Sequence, residues 1–410
     1  MLMLMEAIYL VLSLLVLIMG GHVLLFFPLS LWHQFRYGQR KKPTQKRWAV
    51  SIIVPAYNEG AVIGNCVRSI LRSDHDYYEL ILVNDGSSDD TLAQMQQFAS
   101  HPRVHVINKN NGGKASALNL GIQRARGDIL LFVDADGVFR RDTIRQMVNS
   151  FDRPDVGAVC GTDCPVNLDR LQTRLLVMQT HVTTGLVRRA LAAINCLPIV
   201  SGNIGAFRRD VLQKTGYFRP GFIGEDLELT WRVHRAGYRV AFQPKAIVYA
   251  ESPSTVTALW KQRVRWGRGL LQTAMLHRDM FFNPRYGLMA LYLPLNIFSL
   301  AIVPILQLLL LFLLLLLALA GANPLTGGFF SFFGWLGFGA TSFATAFAIA
   351  LDRAWSDLKY LYVLPLWIPY AIFLNLVMFW AFVLELRGVE AKWNKLDRTG
   401  VMSRRDTALS

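Results

Sequence analysis

Short acidic motifs hold the side chains with the clearest chemical potential in this sequence. Asp134 and Asp136 form DAD at the end of an apolar run, and Asp226 ends GED just before a helical stretch. Two carboxylates at the end of a buried strand can hold a hard divalent cation such as Mg²⁺ or Mn²⁺ together with substrate phosphates. The alternative is that each motif only caps a turn or a helix, as aspartate often does.

Three further motifs contain groups that recognise sugars, bases or phosphates. Tyr57 and Glu59 lie in PAYNE, Asp85 lies in NDGSSDDT, and Lys114 follows two glycines in NNGGKASALN. A carboxylate at a strand end can bond a ribose hydroxyl, while a helix start and a lysine attract phosphate. The lysine motif lacks the spacing of a Walker A loop. For NDGSSDDT, a simple turn followed by a helix cap is the competing interpretation.

The motif QRVRW contributes Gln262, Arg265 and Trp266 beside the apolar C-terminal part of the chain. A tryptophan ring can stack on a sugar ring, and arginine can bind phosphate or sugar oxygens. Trp and Arg are also common anchors at a membrane surface, and that interpretation stays open.

Alternating strand-like and helix-like segments position the first motifs. Apolar, β-branched runs predict strands at 48–56, 79–84, 103–108 and 128–136, with helices at 61–71 and 114–125 between them. This alternation predicts a mainly parallel, Rossmann-like α/β sheet with helices on both faces, within a domain over 48–253. Ligands bind at the carboxyl ends of such strands, where PAYNE, NDGS and DAD lie.

Part of the chain is expected in a lipid bilayer, since 53% of its 410 residues are hydrophobic. Residues 7–32 contain no Asp, Glu, Lys or Arg and predict a transmembrane helix rather than a signal peptide. Residues 254–290 mix apolar and basic positions, which predicts amphipathic helices on the membrane surface. Three apolar segments, 291–320, 329–351 and 358–386, predict C-terminal transmembrane helices within 291–386.

Many basic residues of this +15 chain flank the apolar segments, in a linker (33–47) and a tail (387–410). The linker places 48–253 in the cytosol by the positive-inside rule, as in a multi-pass protein of the bacterial inner membrane. Four scattered cysteines fit a reducing compartment. For the tail, the count of spans predicts the outside and its basic residues predict the cytosol. Basic residues beside apolar spans, without a nucleic-acid-binding motif, indicate a lipid bilayer rather than nucleic acid as partner.

In this order, PAYNE, Asp85, DAD, GED and QxxRW resemble the processive family 2 glycosyltransferases, from about Ile52 to Trp266. That family includes cellulose, chitin-oligosaccharide and hyaluronan synthases. The segment SGNIGAFRRD and the tail KWNKLDRTG are most similar to the poly-β-1,6-N-acetylglucosamine synthase branch. The motif VNDGS departs from the family pattern, because many members have two consecutive acidic residues there.

The resemblance implies a glycosyltransferase A-type fold joined to transmembrane helices. It also implies inverting, processive transfer from a UDP-sugar, first of all UDP-N-acetylglucosamine, to a growing polysaccharide that crosses the membrane. A small accessory membrane subunit is a further implied partner. The alternatives are a single-transfer enzyme that makes a glycolipid, another polysaccharide synthase, and a non-catalytic membrane protein that only binds nucleotide-sugars.

The same resemblance implies a role for each motif residue. Asp226 is the expected general base, and Asp136 is the expected ligand of Mg²⁺ or Mn²⁺. The nucleotide-sugar is expected to contact Tyr57, Glu59, Asp85, Lys114 and Asp134. The acceptor end and the diphosphate are expected to contact Gly202, Asn203, Glu225, Gln262, Arg265 and Trp266.

Overall fold

The structure is a computed structural model that describes residues 2–38, 48–322, 328–390 and 398–402. Most of the predicted basic linker lies outside the described residues, and so do 391–397 and 403–410 of the predicted tail.

Within the described residues, eight strands form one mixed sheet in the order β3-β2-β1-β4-β7-β6-β8-β5. The strands are β1 (Val50–Ala56), β2 (Tyr78–Asp85), β3 (Val104–Lys109), β4 (Ile129–Phe132), β5 (Val138–Phe139), β6 (Val156–Pro165), β7 (Gly205–Arg208) and β8 (Arg239–Ala250). The first four strands pair in parallel, as predicted. The strand β7 runs antiparallel to β4 and to β6, which the alternating pattern did not predict.

Both faces of the sheet are buried, which explains the continuous apolar runs in its strands. Ile53 of β1 packs in one core cluster, while Ile52 and Val54 pack in the other, on the opposite face. The strand β4 ends at Phe132, so Asp134 and Asp136 leave the sheet in a turn. The predicted strand 128–136 was therefore too long, because these polar residues face the sheet edge instead of a neighbouring strand.

Helices cover these faces and form the apolar region. The helices are α1 (Leu2–Leu24), α2 (Phe26–Gly38), α3 (Gly60–Leu71), α4 (Thr91–Gln96), α5 (Lys114–Arg124), α6 (Thr143–Val148), α7 (Leu171–Thr180), α8 (Arg189–Ala193), α9 (Arg209–Thr215), α10 (Glu225–Arg235), α11 (Val256–Leu276), α12 (Met289–Ile297), α13 (Val303–Leu319), α14 (Phe329–Asp352) and α15 (Trp367–Leu386). The π-helix His181–Arg188 joins α7 to α8, and the 3₁₀-helical segment Trp355–Leu366 precedes α15.

Three helical stretches among the described residues are long and apolar enough to cross a membrane: Met289–Leu319, Phe332–Asp352 and Trp355–Leu386. At the N-terminus, two helices take the place of the single predicted one, since α1 and α2 are separated at Leu25. Pro28 lies in the first turn of α2, where a missing N–H is tolerated.

The last apolar helix, α15, lies alongside α11 and runs in the same direction. Trp260 meets Phe373 with ring centroids 5.6 Å apart, and Arg268, further along α11, pairs with Glu385. The segment before α15 is fastened to the α/β domain, because Asp357 Oδ2 lies 2.9 Å from His181 Nε2. Both ends of Trp355–Leu386 therefore lie beside the α/β domain or its helix α11.

Candidate active site

The loops after β1 and β2 are tied to each other at the edge of the sheet. Asn58 has a φ of 55°, a left-handed conformation that asparagine tolerates better than most residues. Its Oδ1 accepts a hydrogen bond from the Ser88 N–H at 2.7 Å, and its own N–H donates to Ser87 Oγ at 2.9 Å. Tyr57 is 39% exposed and Glu59 is half-buried, so the loop holds both beside the Asp85 loop.

Asp85 ends β2 as a buried carboxylate with fixed partners. Its Oδ1 lies 2.5 Å from Lys109 Nζ and accepts the Gly112 N–H at 3.0 Å. Lys109 stands opposite Asp85 in the parallel register of β2 and β3. Lys109 was not among the predicted site residues, although its place at the end of the third strand was the signal that could have identified it.

Lys114, the first residue of α5, connects the DAD and GED motifs. Its Nζ lies 2.7 Å from Asp134 Oδ1 and 3.5 Å from Glu225 Oε1. Burial disfavours the charged lysine, but the carboxylates of Asp134 and Glu225 outweigh burial and raise the pKa of Lys114. A β-carbon on Gly202 would lie 3.2 Å from the same Nζ. Two acidic motifs that are far apart in sequence thus converge on one lysine.

Asp226 is held by backbone groups on both carboxylate oxygens. Oδ2 accepts the Gly202 N–H at 3.1 Å, and Oδ1 accepts the Leu227 N–H at 2.8 Å. The next residue of the same segment, Asn203, accepts the Asp134 N–H at 3.3 Å. Gly202 and Asn203 therefore connect the turn of DAD to the carboxylate of GED, and Asp226 is oriented without an ion pair of its own in this set of contacts.

Asp136 is buried and faces an arginine from the far end of the chain. Its Oδ2 accepts the Glu251 N–H at 3.2 Å and lies 3.1 Å from Arg398 Nη1. Burial raises the pKa of Asp136, while the Arg398 guanidinium opposes that rise. Arg398 Nε also lies 4.0 Å from Glu59 Oε2. Arg398 was not predicted as a site residue.

Residues 398–402 form a C-terminal strap across this edge of the sheet. Glu251 accepts the Thr399 N–H at 2.9 Å and the Gly400 N–H at 2.6 Å through its two oxygens. Met402 packs against Val138, beside β8. The strap begins with the last three residues of the tail motif KWNKLDRTG, but that motif did not predict where they lie, because their position depends on contacts with residues far away in the sequence.

The helix α11 brings QRVRW to the same place. Gly269 packs so closely on Gly224 that a β-carbon on Gly224 would lie 3.1 Å from the Gly269 Cα. One turn earlier, burial lowers the pKa of Arg265, and the charges of Glu225, Asp134 and Asp226 oppose that shift. Arg265 therefore joins the acidic cluster.

The other two predicted residues of the motif lie around it on α11. Gln262 is half-buried. Trp266 is 52% exposed, and its ring lies 4.4 Å from the guanidinium carbon of Arg263. The ring of Trp266 thus lies against the motif's own arginine, one helical turn away, while half of the side chain is exposed.

Comparison with known proteins places this arrangement in a family. Residues 47–269, more than half of the chain, match the sequence profile described as Glycosyltransferase like family 2. The chain belongs to glycosyltransferase family 2. This glycosyltransferase is 29% identical over 265 residues to poly-β-1,6-N-acetyl-D-glucosamine synthase of Staphylococcus aureus strain COL, over 63% of this chain and 64% of that protein. The synthase of Staphylococcus epidermidis matches at 29% over 255 residues, 62% of this chain and 61% of that protein.

The match therefore spans less than two thirds of the length of these relatives. Among solved structures, the mannosyltransferase PcManGT of Pyrobaculum calidifontis, in complex with GDP-Man and Mn²⁺, superimposes with a TM-score of 0.64 at 24% identity. The superposition covers 94% of this chain and 100% of that one. The predicted fold, a glycosyltransferase A-type domain with apolar C-terminal helices, is confirmed.

The residues around Asp136 fit the divalent cation that is common in glycosyltransferases of this fold. The Asp136 carboxylate is buried, and the Arg398 guanidinium already places positive charge against it. Asp134, two residues away, has a third of its side chain exposed. Among the described residues, no three His, Cys, Asp or Glu side chains converge as a complete metal site. A cation here would take its remaining ligands from phosphate oxygens and water.

Glu225 gives the glycosyltransferase a pH-dependent charge beside Asp226. Burial raises the pKa of Glu225 to about 7, with Lys114 opposing the rise and Asp226 adding to it. The carboxylate is ionised above that pH and neutral below it, so its attraction for Lys114 is lost as the pH falls.

We expect the transfer rate to fall about tenfold from pH 8 to pH 6, as a single essential carboxylate titrating near 7 requires. The variant Glu225→Gln should be slower at pH 8 and should lose this dependence. Initial rates at saturating UDP-sugar across this pH range measure both. If the glutamine variant shows the same loss of rate between pH 8 and pH 6 as the wild type, a group other than Glu225 causes the pH dependence.

Proposed function

We propose that this protein polymerises N-acetylglucosamine from UDP-N-acetylglucosamine into a β-1,6-linked chain at the cytosolic face of the bacterial inner membrane. The observation that carries the proposal is the contact of Lys114 with both Asp134 and Glu225, which joins a nucleotide-sugar side to a general-base side. Membership of family 2 and the similarity to two poly-β-1,6-N-acetyl-D-glucosamine synthases support the choice of sugar and linkage.

The UDP-sugar lies along the strand-end loops in this proposal. Uridine and ribose contact the side chains that face this edge: Tyr57, Glu59, Asp85 and Asp134. Lys114 neutralises charge near the diphosphate. A divalent cation held by Asp136 would supply charge neutralisation to the departing diphosphate.

Asp226 acts as the general base. Its carboxylate takes the proton from the acceptor hydroxyl while that oxygen attacks the anomeric carbon, and the bond from this carbon to the UDP oxygen breaks. UDP leaves with the electron pair of that bond, and the configuration at the anomeric carbon inverts. The backbone bonds from Gly202 and Leu227 orient the carboxylate for this step. Among the residues that the structure describes, Asp226 has no ion pair that would have to break first.

The acceptor side uses the segment before β7 and the helix α11. The residues proposed to hold the acceptor end and the diphosphate are Gly202, Asn203, Glu225, Gln262, Arg265 and Trp266. Trp266 suits stacking on a sugar ring because its indole is half exposed. From this point the growing chain is proposed to leave along the apolar C-terminal helices, and a small accessory membrane subunit can complete that path.

The contacts at the helix ends support a proposed membrane arrangement. The end of α14 is tied to the α/β domain, since Asp352 pairs with His181 at 2.8 Å and with Arg189 at 2.7 Å. Both ends of Trp355–Leu386 also lie beside that domain or α11, and the strap reaches Asp136. We therefore propose that α15 makes no full crossing and that the C-terminal tail is cytosolic. This removes the conflict between the count of spans and the basic tail.

A cysteine at Val401 tests this arrangement, since this residue is 38% exposed. In a Cys164→Ser background, Val401→Cys should react with a membrane-impermeant maleimide in inside-out vesicles and stay unlabelled in intact spheroplasts. The matched control is Ala322→Cys, beyond the end of α13, which should show the opposite pattern. Labelling of position 401 in intact spheroplasts would place the tail outside.

The activity is tested with purified protein in lipid nanodiscs and radiolabelled UDP-N-acetylglucosamine, beside a panel of other UDP-sugars. A polymerase gives long chains that a β-1,6-specific glucosaminidase degrades. Lipid-extractable product alone would instead establish single transfer to a glycolipid, and turnover of another UDP-sugar alone would overturn the choice of sugar. Sealed proteoliposomes then show whether the polymer accumulates on the opposite side.

A further inference from the structure

The exposed tryptophan of QRVRW rests on an arginine that has an unusual environment. Arg263 lies one helical turn before Trp266, with its guanidinium carbon 4.4 Å from the centre of the indole ring. Burial lowers the pKa of Arg263. Its Nε is buried and has no hydrogen-bond partner within the described part of the chain. Burying a cation costs free energy unless hydrogen bonds or an opposite charge compensate for the lost water. The groups that hold Arg263 in place therefore matter.

Two uncharged side chains from different parts of the protein hold this arginine. Gln179 of α7 accepts the Arg263 Nη2–H at 2.9 Å on its Oε1. The same oxygen accepts the hydroxyl hydrogen of Tyr370, from α15, at 2.8 Å. Both partners are hydrogen-bond donors, so the amide must present its oxygen and not its nitrogen to them. The contact fixes the Gln179 amide and, through it, the plane of the guanidinium.

The tyrosine is itself fixed by its surroundings. Tyr370 is 7% exposed, and its ring stacks on Phe373 with centroids 6.0 Å apart and an interplanar angle of 16°. Phe373 in turn contacts Trp260, one turn before Arg263 on α11. The apolar helix α15 thus sets the position of the hydroxyl group that Gln179 accepts.

We propose that Tyr370, Gln179 and Arg263 form a positioning relay that holds the Trp266 ring for stacking on the acceptor sugar, and that this relay sets how many sugars are added before the chain dissociates. The inference rests on the proposed function. One face of the indole lies against the guanidinium, and half of the side chain is exposed, so the proposal puts the pyranose ring on the other face. None of the three relay residues touches the reacting atoms in this arrangement, so their effect should fall on the acceptor and not on the UDP-sugar.

The variant Tyr370→Phe removes one hydroxyl and keeps the packing on Phe373. We expect the KM for a β-1,6-linked N-acetylglucosamine oligosaccharide acceptor to rise about fivefold, because a cation–π contact is worth about 1 kcal/mol. We also expect shorter products. The KM for UDP-N-acetylglucosamine should stay unchanged. The matched control is Tyr362→Phe, which loses a hydroxyl that accepts from Arg174 of the same helix α7 at 2.7 Å and has no described hydrogen bond to a QRVRW residue.

A second pair of variants separates positioning from general loosening. Gln179→Glu keeps an oxygen that accepts the hydrogen bonds from Arg263 and Tyr370, so it should retain the wild-type KM for the oligosaccharide and the wild-type product length. Gln179→Leu has no such oxygen and should raise that KM and shorten the products. If the wild type makes polymer and Tyr370→Phe or Gln179→Leu behaves like Tyr362→Phe, the relay is wrong. If the wild type makes no polymer, the proposed function has failed instead. Equal thermal unfolding midpoints for the two tyrosine variants show that a difference between them does not come from stability.

Discussion

Replacing Asp226 with asparagine is expected to lower the rate of sugar transfer by about 10²–10⁴-fold, the usual contribution of a positioned general base. The carboxylate accepts two backbone N–H groups, from Gly202 and Leu227, so it is already oriented before any acceptor binds. Asparagine has nearly the same size but cannot take the proton of the acceptor hydroxyl. The rate of UDP release from UDP-N-acetylglucosamine, in the presence of acceptor, measures the loss.

The controls for this prediction concern binding and folding. UDP affinity, measured by calorimetry, should remain close to wild type, because the proposed nucleotide contacts of Tyr57 and Asp85 are untouched. In Asp226→Asn the amide N–H₂ group faces one of the two backbone N–H groups, and two donors cannot bond each other. The thermal unfolding midpoints of the variant and the wild type must therefore be compared. Asp210→Asn, at a half-exposed carboxylate of α9 that pairs with Arg208 at the end of β7, should keep the wild-type rate. An Asp226→Asn enzyme with more than a tenth of wild-type turnover would show that another group is the base.

The parts of the site that sequence could predict follow from the rule that parallel strands end at one edge. Asp85 and Asp134 follow β2 and β4, the two strands that flank β1 in the parallel part of the sheet, so their place at one edge was foreseeable. The resemblance put Lys114 at the nucleotide and Glu225 at the acceptor, but their contact was not predicted, since the antiparallel strand β7 lies between them in sequence. Lys109 was missed although it follows the predicted third strand, because its pairing with Asp85 depends on the register of β3 with β2, which the sequence does not give.

The C-terminal part of the chain shows a different limit. Hydropathy measures whether a segment such as 358–386 is apolar and long enough to cross a bilayer, but it does not register where the ends are fastened. Here Glu385 pairs with Arg268 and Asp357 contacts His181, and both contacts join residues far apart in sequence. Arg398 lies in the tail motif KWNKLDRTG, but its place opposite Asp136 could not be predicted, because that contact also joins residues far apart in sequence.

Replacing Asp136 with asparagine is expected to weaken Mn²⁺ binding strongly and to lower transfer by about 10²–10³-fold, since metal stabilisation of a leaving group is worth several kcal/mol. Asparagine keeps an oxygen but loses the negative charge that a divalent cation requires. Titration of Mn²⁺ followed by electron paramagnetic resonance, without UDP-sugar, measures affinity separately from turnover.

That loss has two possible causes, because the same carboxylate also holds the strap through Arg398. The variant Arg398→Gln removes the ion pair and keeps the carboxylate. A guanidinium and a metal ion compete for the charge of Asp136, so Arg398→Gln should bind Mn²⁺ more tightly, by about fivefold for an ion pair worth about 1 kcal/mol. Asp136→Asn and Arg398→Gln both release the strap, yet the metal assignment requires them to shift Mn²⁺ affinity in opposite directions. Weaker binding in both variants would mean that Asp136 acts only by anchoring the strap and that the cation is held elsewhere.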